Sequence, residues 1–254
     1  MKFVKYVGLS MCLLALSACS AKQTDMKSSN ESKPIKQQTT ASVENNEISN
    51  PKENLTDSAE KAKSEVTMDK GIQFNGSYYY VKGSDGQEIP IVNKHYPLSA
   101  SYNPGENMIA KTAFLELLAG MREAGFSVSD SYSGFRSYDT QTNLYQNYVA
   151  RDGQAAADRY SARPGHSEHQ SGLAFDIIDG SGNLLQEASA SQWLLKHAGD
   201  YGFVVRYLEG KEDITGYQHE EWHVRYLGTD AKAIAESGKT LEEYYGFTGG
   251  DYAE

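Results

Sequence analysis

Residues 164–176 read Pro164-Gly165-His166-Ser167-Glu168-His169-Gln170-Ser171-Gly172-Leu173-Ala174-Phe175-Asp176. A polar, glycine-flanked turn carries two histidines, and the run that follows, Leu173 to Ile178, has the apolar content of a buried strand. Such a turn delivers its side chains to a fixed place at the strand's end. About fifty residues downstream, His219-Glu220-Glu221-Trp222-His223 again pairs imidazole with carboxylate. Trp222 to Leu227 then has the aromatic and β-branched content of another strand. Four of the six histidines therefore lie in two short clusters at strand ends.

Both cysteines, Cys12 and Cys19, stand near the N-terminus, so the chain from residue 71 onward has no disulfide, no thiolate nucleophile and no cysteine-based zinc site. A zinc site there needs imidazole and carboxylate ligands, three from protein and one position left to water if the site is catalytic. The two clusters hold those residue types. The second one formally matches His-Glu-x-x-His, which on a helix would place both histidines on one face. Its flanks are turn-like and strand-like, with neither a cap nor a helical apolar stripe, so His219 and His223 are not expected one helical turn apart. Glu220 and His223 remain candidates in either geometry.

The surrounding pattern alternates helix and strand. Met108 to Ala124 places Ile109, Ala113, Leu117 and Met121, with Phe114 and Leu118, at helical spacing and stops at Gly125, which predicts a core helix. Phe126–Ser129 and Phe203–Leu208 read as strands, and Tyr138–Ala150 and Ser191–Ala198 as helices. Ala231–Glu236 and Leu241–Tyr245 read as closing helical turns. Residues 74–93, FNGSYYYVKGSDGQEIPIVN, alternate aromatic and β-branched residues around Asn-Gly and Asp-Gly, which predicts one or two hairpins. The class expected is α+β, a small antiparallel sheet with flanking helices.

The 254 residues carry a net charge of −10, which excludes bulk-charge binding to nucleic acid or to anionic membranes. The charge is unevenly distributed: residues 71–254 hold −11. After Phe3 and Tyr6, no aromatic residue occurs until Phe74. Residues 1–18 read as an export signal with a short basic start and an apolar run. Leu16-Ser17-Ala18-Cys19 is similar to the lipobox of bacterial lipoproteins, which would make Cys19 a lipidated mature N-terminus. Residues 19–70 are polar and lack the apolar surface to fold, so a disordered, lipid-anchored linker is expected there. The domain is expected over 71–254.

Ser167-x-His169-x-x-Gly172-x-Ala174-x-Asp176, followed by Glu220-x-Trp222-His223-x-Arg225-Tyr226, resembles the VanY/LdcB (DacB)-type zinc D,D- and L,D-carboxypeptidases that trim peptidoglycan stem peptides. Val92-Asn93-Lys94 with Pro97-Leu98 and Tyr102-Asn103-Pro104, Ser133-Gly134-Phe135-Arg136-Ser137, and Gln141 agree with the same family, and the resemblance covers about residues 90–246. It implies a Hedgehog/D,D-peptidase-like fold and one Zn²⁺ per domain held by His169, Asp176 and His223. It further implies Glu220 as general base, Arg136 as oxyanion stabiliser, and Ser167 and Gln141 near the substrate.

On that resemblance, the expected reaction is L,D-carboxypeptidase removal of the C-terminal D-alanine from stem tetrapeptides, with D,D cleavage of pentapeptides as the alternative. A rival reading is a non-catalytic wall-binding lipoprotein that uses Tyr78-Tyr79-Tyr80. The expected partners are peptidoglycan stem peptides and, through Cys19, the membrane. The expected form is a monomer at the extracytoplasmic face of the bacterial membrane, facing the cell wall.

Overall fold

The computed structural model describes residues 69–253. The export signal, Cys19 and nearly all of the linker lie outside the described residues. Among the described residues, no helix is long and apolar enough to cross a membrane.

Among the described residues, seven strands form two antiparallel sheets. The first contains β1 (Gln73–Phe74), β2 (Tyr79–Lys82) and β3 (Glu88–Ile91) in sequential order, so the glycine-rich stretch makes two hairpins. The tyrosines of 78–80 are packed within it: Tyr79 lies against Phe74 and Tyr96, and Tyr78 against Tyr102. The second sheet, in the order β4-β5-β7-β6, is built from β4 (Val128–Ser133), β5 (Ala174–Asp179), β6 (Phe203–Tyr207) and β7 (Glu220–Tyr226). The helices are α1 (Met108–Glu123), α2 (Tyr138–Asp152), α3 (Gln154–Tyr160), α4 (Ala188–His197), α5 (Glu212–Thr215), α6 (Ala231–Ser237) and α7 (Leu241–Tyr245). Of these, α3 and α5 were not legible in the sequence. The first β4 residue is two positions later than expected, because Phe126 ends the turn after α1 and packs on Trp193.

Alternation along the strands of the second sheet gives each face its task. Phe175, Ile177, Phe203, Val205 and Val224 belong to a core with α1 and α4. The intervening residues, Asp176, His223 and Arg225 among them, are left for the opposite face. Val204 of that face joins a second core with β2, β3, α6 and α7.

Helix α1 covers the first core with Ala110, Phe114, Leu117, Leu118 and Met121. Ile109 is the exception to the expected stripe, being 71% exposed. At about 100° per residue the five buried side chains fill an arc of about 100°, and Ile109 falls about 80° outside it. Phe114 stacks on Phe175 with ring centroids 4.6 Å apart, and both are fully buried. Phe114→Ala is expected to cost about 3–5 kcal/mol of stability. Chemical denaturation would check this, and a change within the error of the midpoint would contradict it.

Candidate active site

The turn 164–173 folds as the sequence suggests, and one glycine fixes it. Gly172 sits at φ +74°, and a Cβ there would meet the Gly105 carbonyl oxygen at 2.1 Å. Only glycine permits this approach, which lets Asn107, the N-cap of α1, donate its backbone N–H to Gly172. A 3₁₀ turn, Glu168–Ser171, presents His169, and β5 begins two residues beyond Gly172.

Three side chains then converge from three segments. Asp176 of β5 lies opposite His223 of β7 in the ladder. His169 reaches them from the 3₁₀ turn, and one donor atom from each of the three falls within 4.8 Å of the others. All three residues are buried. His169 Nδ1 is 2.8 Å from the Gly134 carbonyl, which makes Nδ1 the protonated nitrogen and leaves Nε2 bare, 3.1 Å from Asp176 Oδ2. His223 has the opposite arrangement. Its Nε2 donates to Glu168 Oε2 at 3.1 Å, and its Nδ1 lies 3.1 Å from Asp176 Oδ1.

This arrangement tests the fit to a metal. With both rings neutral, two nitrogen lone pairs are aimed at the two oxygens of one carboxylate, and Asp176 Oδ1 is buried without accepting a hydrogen bond. Such a set is repulsive unless a cation stands between its members, and two imidazoles with one carboxylate suit Zn²⁺. The residues therefore fit the metal. The same field also holds a proton tightly: burial disfavours His223's charged form, but Asp176 and Glu168 push its pKa up to about 9. Asp176 is likewise held well below the usual carboxylate range by His169 and His223, against the effect of its burial.

Glu220 and His223 owe their meeting to a strand irregularity. Between β6 and β7 the register runs Val205 opposite Val224 and then Tyr207 opposite Glu220, so β7 accommodates two extra residues. In a regular strand, residues three apart face opposite sides. The bulge turns Glu220 to the same cavity as His223, with Oε2 3.7 Å from His223 Nδ1. His219 lies outside the strand and outside the metal-ligating group, its Nδ1 3.9 Å from Glu221. Burial, with the charges of Asp176 and Glu168 added, pushes Glu220 up to about 8, against the pull of His223 and Arg136. A divalent cation in the neighbouring site acts in the opposite sense and favours the carboxylate.

Arg136 is positioned from both ends. Its backbone N–H donates to the His169 carbonyl, and its guanidinium donates to Gln141 Oε1 at 2.8 Å and Ser133 Oγ at 3.1 Å. Gln141 is buried and also donates to the Ala162 carbonyl at 2.6 Å, so its amide is occupied in holding Arg136 against the 161–162 loop. Arg136, Ser167, Glu220, His223, Trp222 and Tyr148 all line one cavity of about 300 Å³. His166 does not reach the ligands: its Nδ1 lies 2.9 Å from the Asn93 carbonyl.

Glu168 escaped the sequence reading. It is buried between Arg206 and Arg225, and no local pattern could show that two arginines from other strands surround it.

Comparison with known proteins places this geometry in a family. Residues 106–229 match the VanY family, described as D-alanyl-D-alanine carboxypeptidase. The crystal structure of the L,D-carboxypeptidase DacB from Streptococcus pneumoniae shares 64% identity at a TM-score of 0.69, over 71% of this chain and 98% of its own. The YodJ protein of Bacillus subtilis (strain 168) is 32% identical over 94% of this chain and 93% of its own length. The VanY D,D-pentapeptidase of a VanB-type resistance cassette, solved in complex with Zn(II), shares 32% identity at a TM-score of 0.54, over 61% of this chain and 96% of its own. The chain belongs to the VanY family of carboxypeptidases.

Proposed function

We propose that this carboxypeptidase is a zinc L,D-enzyme that releases the C-terminal D-alanine of peptidoglycan stem tetrapeptides. The observation that carries the zinc chemistry is the convergence of His169 Nε2, His223 Nδ1 and the orphaned Asp176 Oδ1 beside Glu220. What favours L,D over D,D cleavage is the 64% identity to an L,D-carboxypeptidase, against 32% to the D,D-pentapeptidase.

His169, Asp176 and His223 would hold the metal, which with two neutral imidazoles and one carboxylate keeps a net charge of +1, enough to polarise a carbonyl and acidify a bound water. Glu220, at the rim of that site, takes the water's proton as the nucleophile attacks and returns it to the leaving amine of D-alanine. Arg136, held by Gln141 and Ser133, presents a permanent charge to the developing oxyanion. Gln141 serves the substrate through Arg136. Ser167, also on the cavity wall, is placed to touch the peptide directly.

The leader and linker support a lipid anchor at Cys19 and a domain held on the outer side of the membrane, within reach of the wall. The −11 domain charge leaves that anchor, not surface electrostatics, to localise the protein.

The test is D-alanine release by the purified chain from tetrapeptide and pentapeptide stems, with and without chelator. Release from the tetrapeptide, lost with chelator and restored by zinc, is the expected result. Release from the pentapeptide alone would reverse the specificity, and release from neither would leave the wall-binding reading.

A further inference from the structure

The buried carboxylate of Glu168 lies at the centre of a charged network behind the metal-ligating residues. Its Oε1 accepts from Arg206 Nε at 2.9 Å and from an Arg225 terminal nitrogen at 2.8 Å, while Oε2 accepts from His223 Nε2 at 3.1 Å. Its side chain and that of Arg225 are fully excluded from solvent. The network continues outward on both sides. Arg206 makes a two-pronged contact with Glu242 of α7, at 2.6 and 2.9 Å, and Arg225 donates to the Pro90 carbonyl of β3 at 2.6 Å. Glu242 also accepts from Asn93 Nδ2 at 3.2 Å. The first sheet, the closing helix and the ligand strand β7 thus meet at one carboxylate.

A buried charge surrounded in this way is costly to assemble, and apolar residues of like volume often serve stability as well. The cost therefore points to a task that apolar packing cannot perform. The task is visible in the histidine: an acceptor at Nε2 keeps a proton on that nitrogen, so that Nδ1, 3.1 Å from Asp176 Oδ1, is the nitrogen left to a metal. His169 is set in the opposite tautomer by the Gly134 carbonyl. Had His223 kept its proton on Nδ1, an N–H would point into the site and no lone pair would face a metal.

We infer that Glu168 is a positioning residue for zinc: it fixes the tautomer and ring orientation of His223 so that Nδ1 is the ligating atom, and it does so only because Arg206 and Arg225 hold it in place. Arg206 in turn is held by Glu242, so α7 supports the metal site from outside it. This inference rests on the reading of His169, Asp176 and His223 as zinc ligands. Partners of metal-bound histidines that are lost typically lower metal affinity or activity by about 10–100-fold.

The experiment has two arms. In the first, the zinc-loaded chain is labelled with ¹⁵N-histidine, and long-range ¹H–¹⁵N correlations report which nitrogen of each ligand carries the proton. One histidine metallated at Nδ1 and one at Nε2 is the expected pattern. In the second, Glu168→Ala and Glu168→Gln are compared with wild type for zinc affinity by chelator competition and for thermal stability without metal. Alanine is expected to weaken zinc by about 10–100-fold, and glutamine by less, because its amide oxygen still accepts from Nε2. Zinc bound with both histidines metallated at Nε2 overturns the inference and leaves the metal site standing. So does wild-type zinc affinity in both variants, whatever their melting temperatures. If the variants do not fold, the labelled wild-type spectrum alone decides. A wild-type chain that takes up no zinc overturns the metal-site reading and this inference together.

Discussion

Glu220→Gln is expected to lower kcat for D-alanine release by about 10²–10⁴-fold while the zinc content stays that of the wild type. Glutamine matches the volume of the buried glutamate, so the bulge in β7 and the cavity wall are preserved. It has no basic oxygen to take a proton from the attacking water and none to give to the leaving amine. Glu220 Oε2 lies 3.7 Å from His223 Nδ1, beside the ligands without being one of the converging group. Metal analysis and turnover on the same sample separate the two roles. A variant with wild-type kcat would remove Glu220 from proton transfer. A variant that loses zinc would make it part of the metal's support.

The second large effect is expected from a matched pair. His169→Ala should lose the metal and fall to the activity of the chelator-treated chain, whereas His219→Ala should keep both zinc and turnover. His169 supplies one of three ligand atoms, and its Nδ1–H is the partner of the Gly134 carbonyl. Its removal also leaves a carbonyl without a partner, a cost of about 1–3 kcal/mol that should show in the melting temperature of the metal-free chain. His219, close to Glu221 and outside the ligand group, supplies none of this. If zinc followed His219 and survived the loss of His169, the ligand assignment would be wrong, and the helical reading of His-Glu-x-x-His would return.

Much of the site was legible because its parts are local. The turn that carries His169 is punctuated by Gly165 and Gly172, and the strand that carries Asp176 alternates with Phe175 and Ile177. Rejecting a helix over 219–223 needed only the turn-like and strand-like flanks, and residues 220–223 open β7. The element order and the α+β class followed from the same periodicities. Where spacing alone had to decide, or a segment was too short to show any, the reading failed. Ile109 looked like core because its spacing matched, yet helix geometry puts it beyond the covered arc. The short helices α3 and α5 carry too few residues to show an amphipathic pattern.

The amino-acid sequence by itself determined which residue types were at hand: no cysteine after Cys19, histidine and carboxylate in two clusters, and an arginine loop between helix and turn. Composition and local pattern settle such matters, since they depend on near neighbours alone. The tertiary structure decided the rest. It chose which nitrogen of each histidine faces the site, it brought Glu220 round through a two-residue register shift, and it turned Gln141 toward Arg136. Above all it enclosed Glu168 between Arg206 and Arg225, 38 and 57 residues away in the chain. Hydrogen-bond direction and burial arise only when distant segments pack, and they are what turn a set of suitable residues into a metal site.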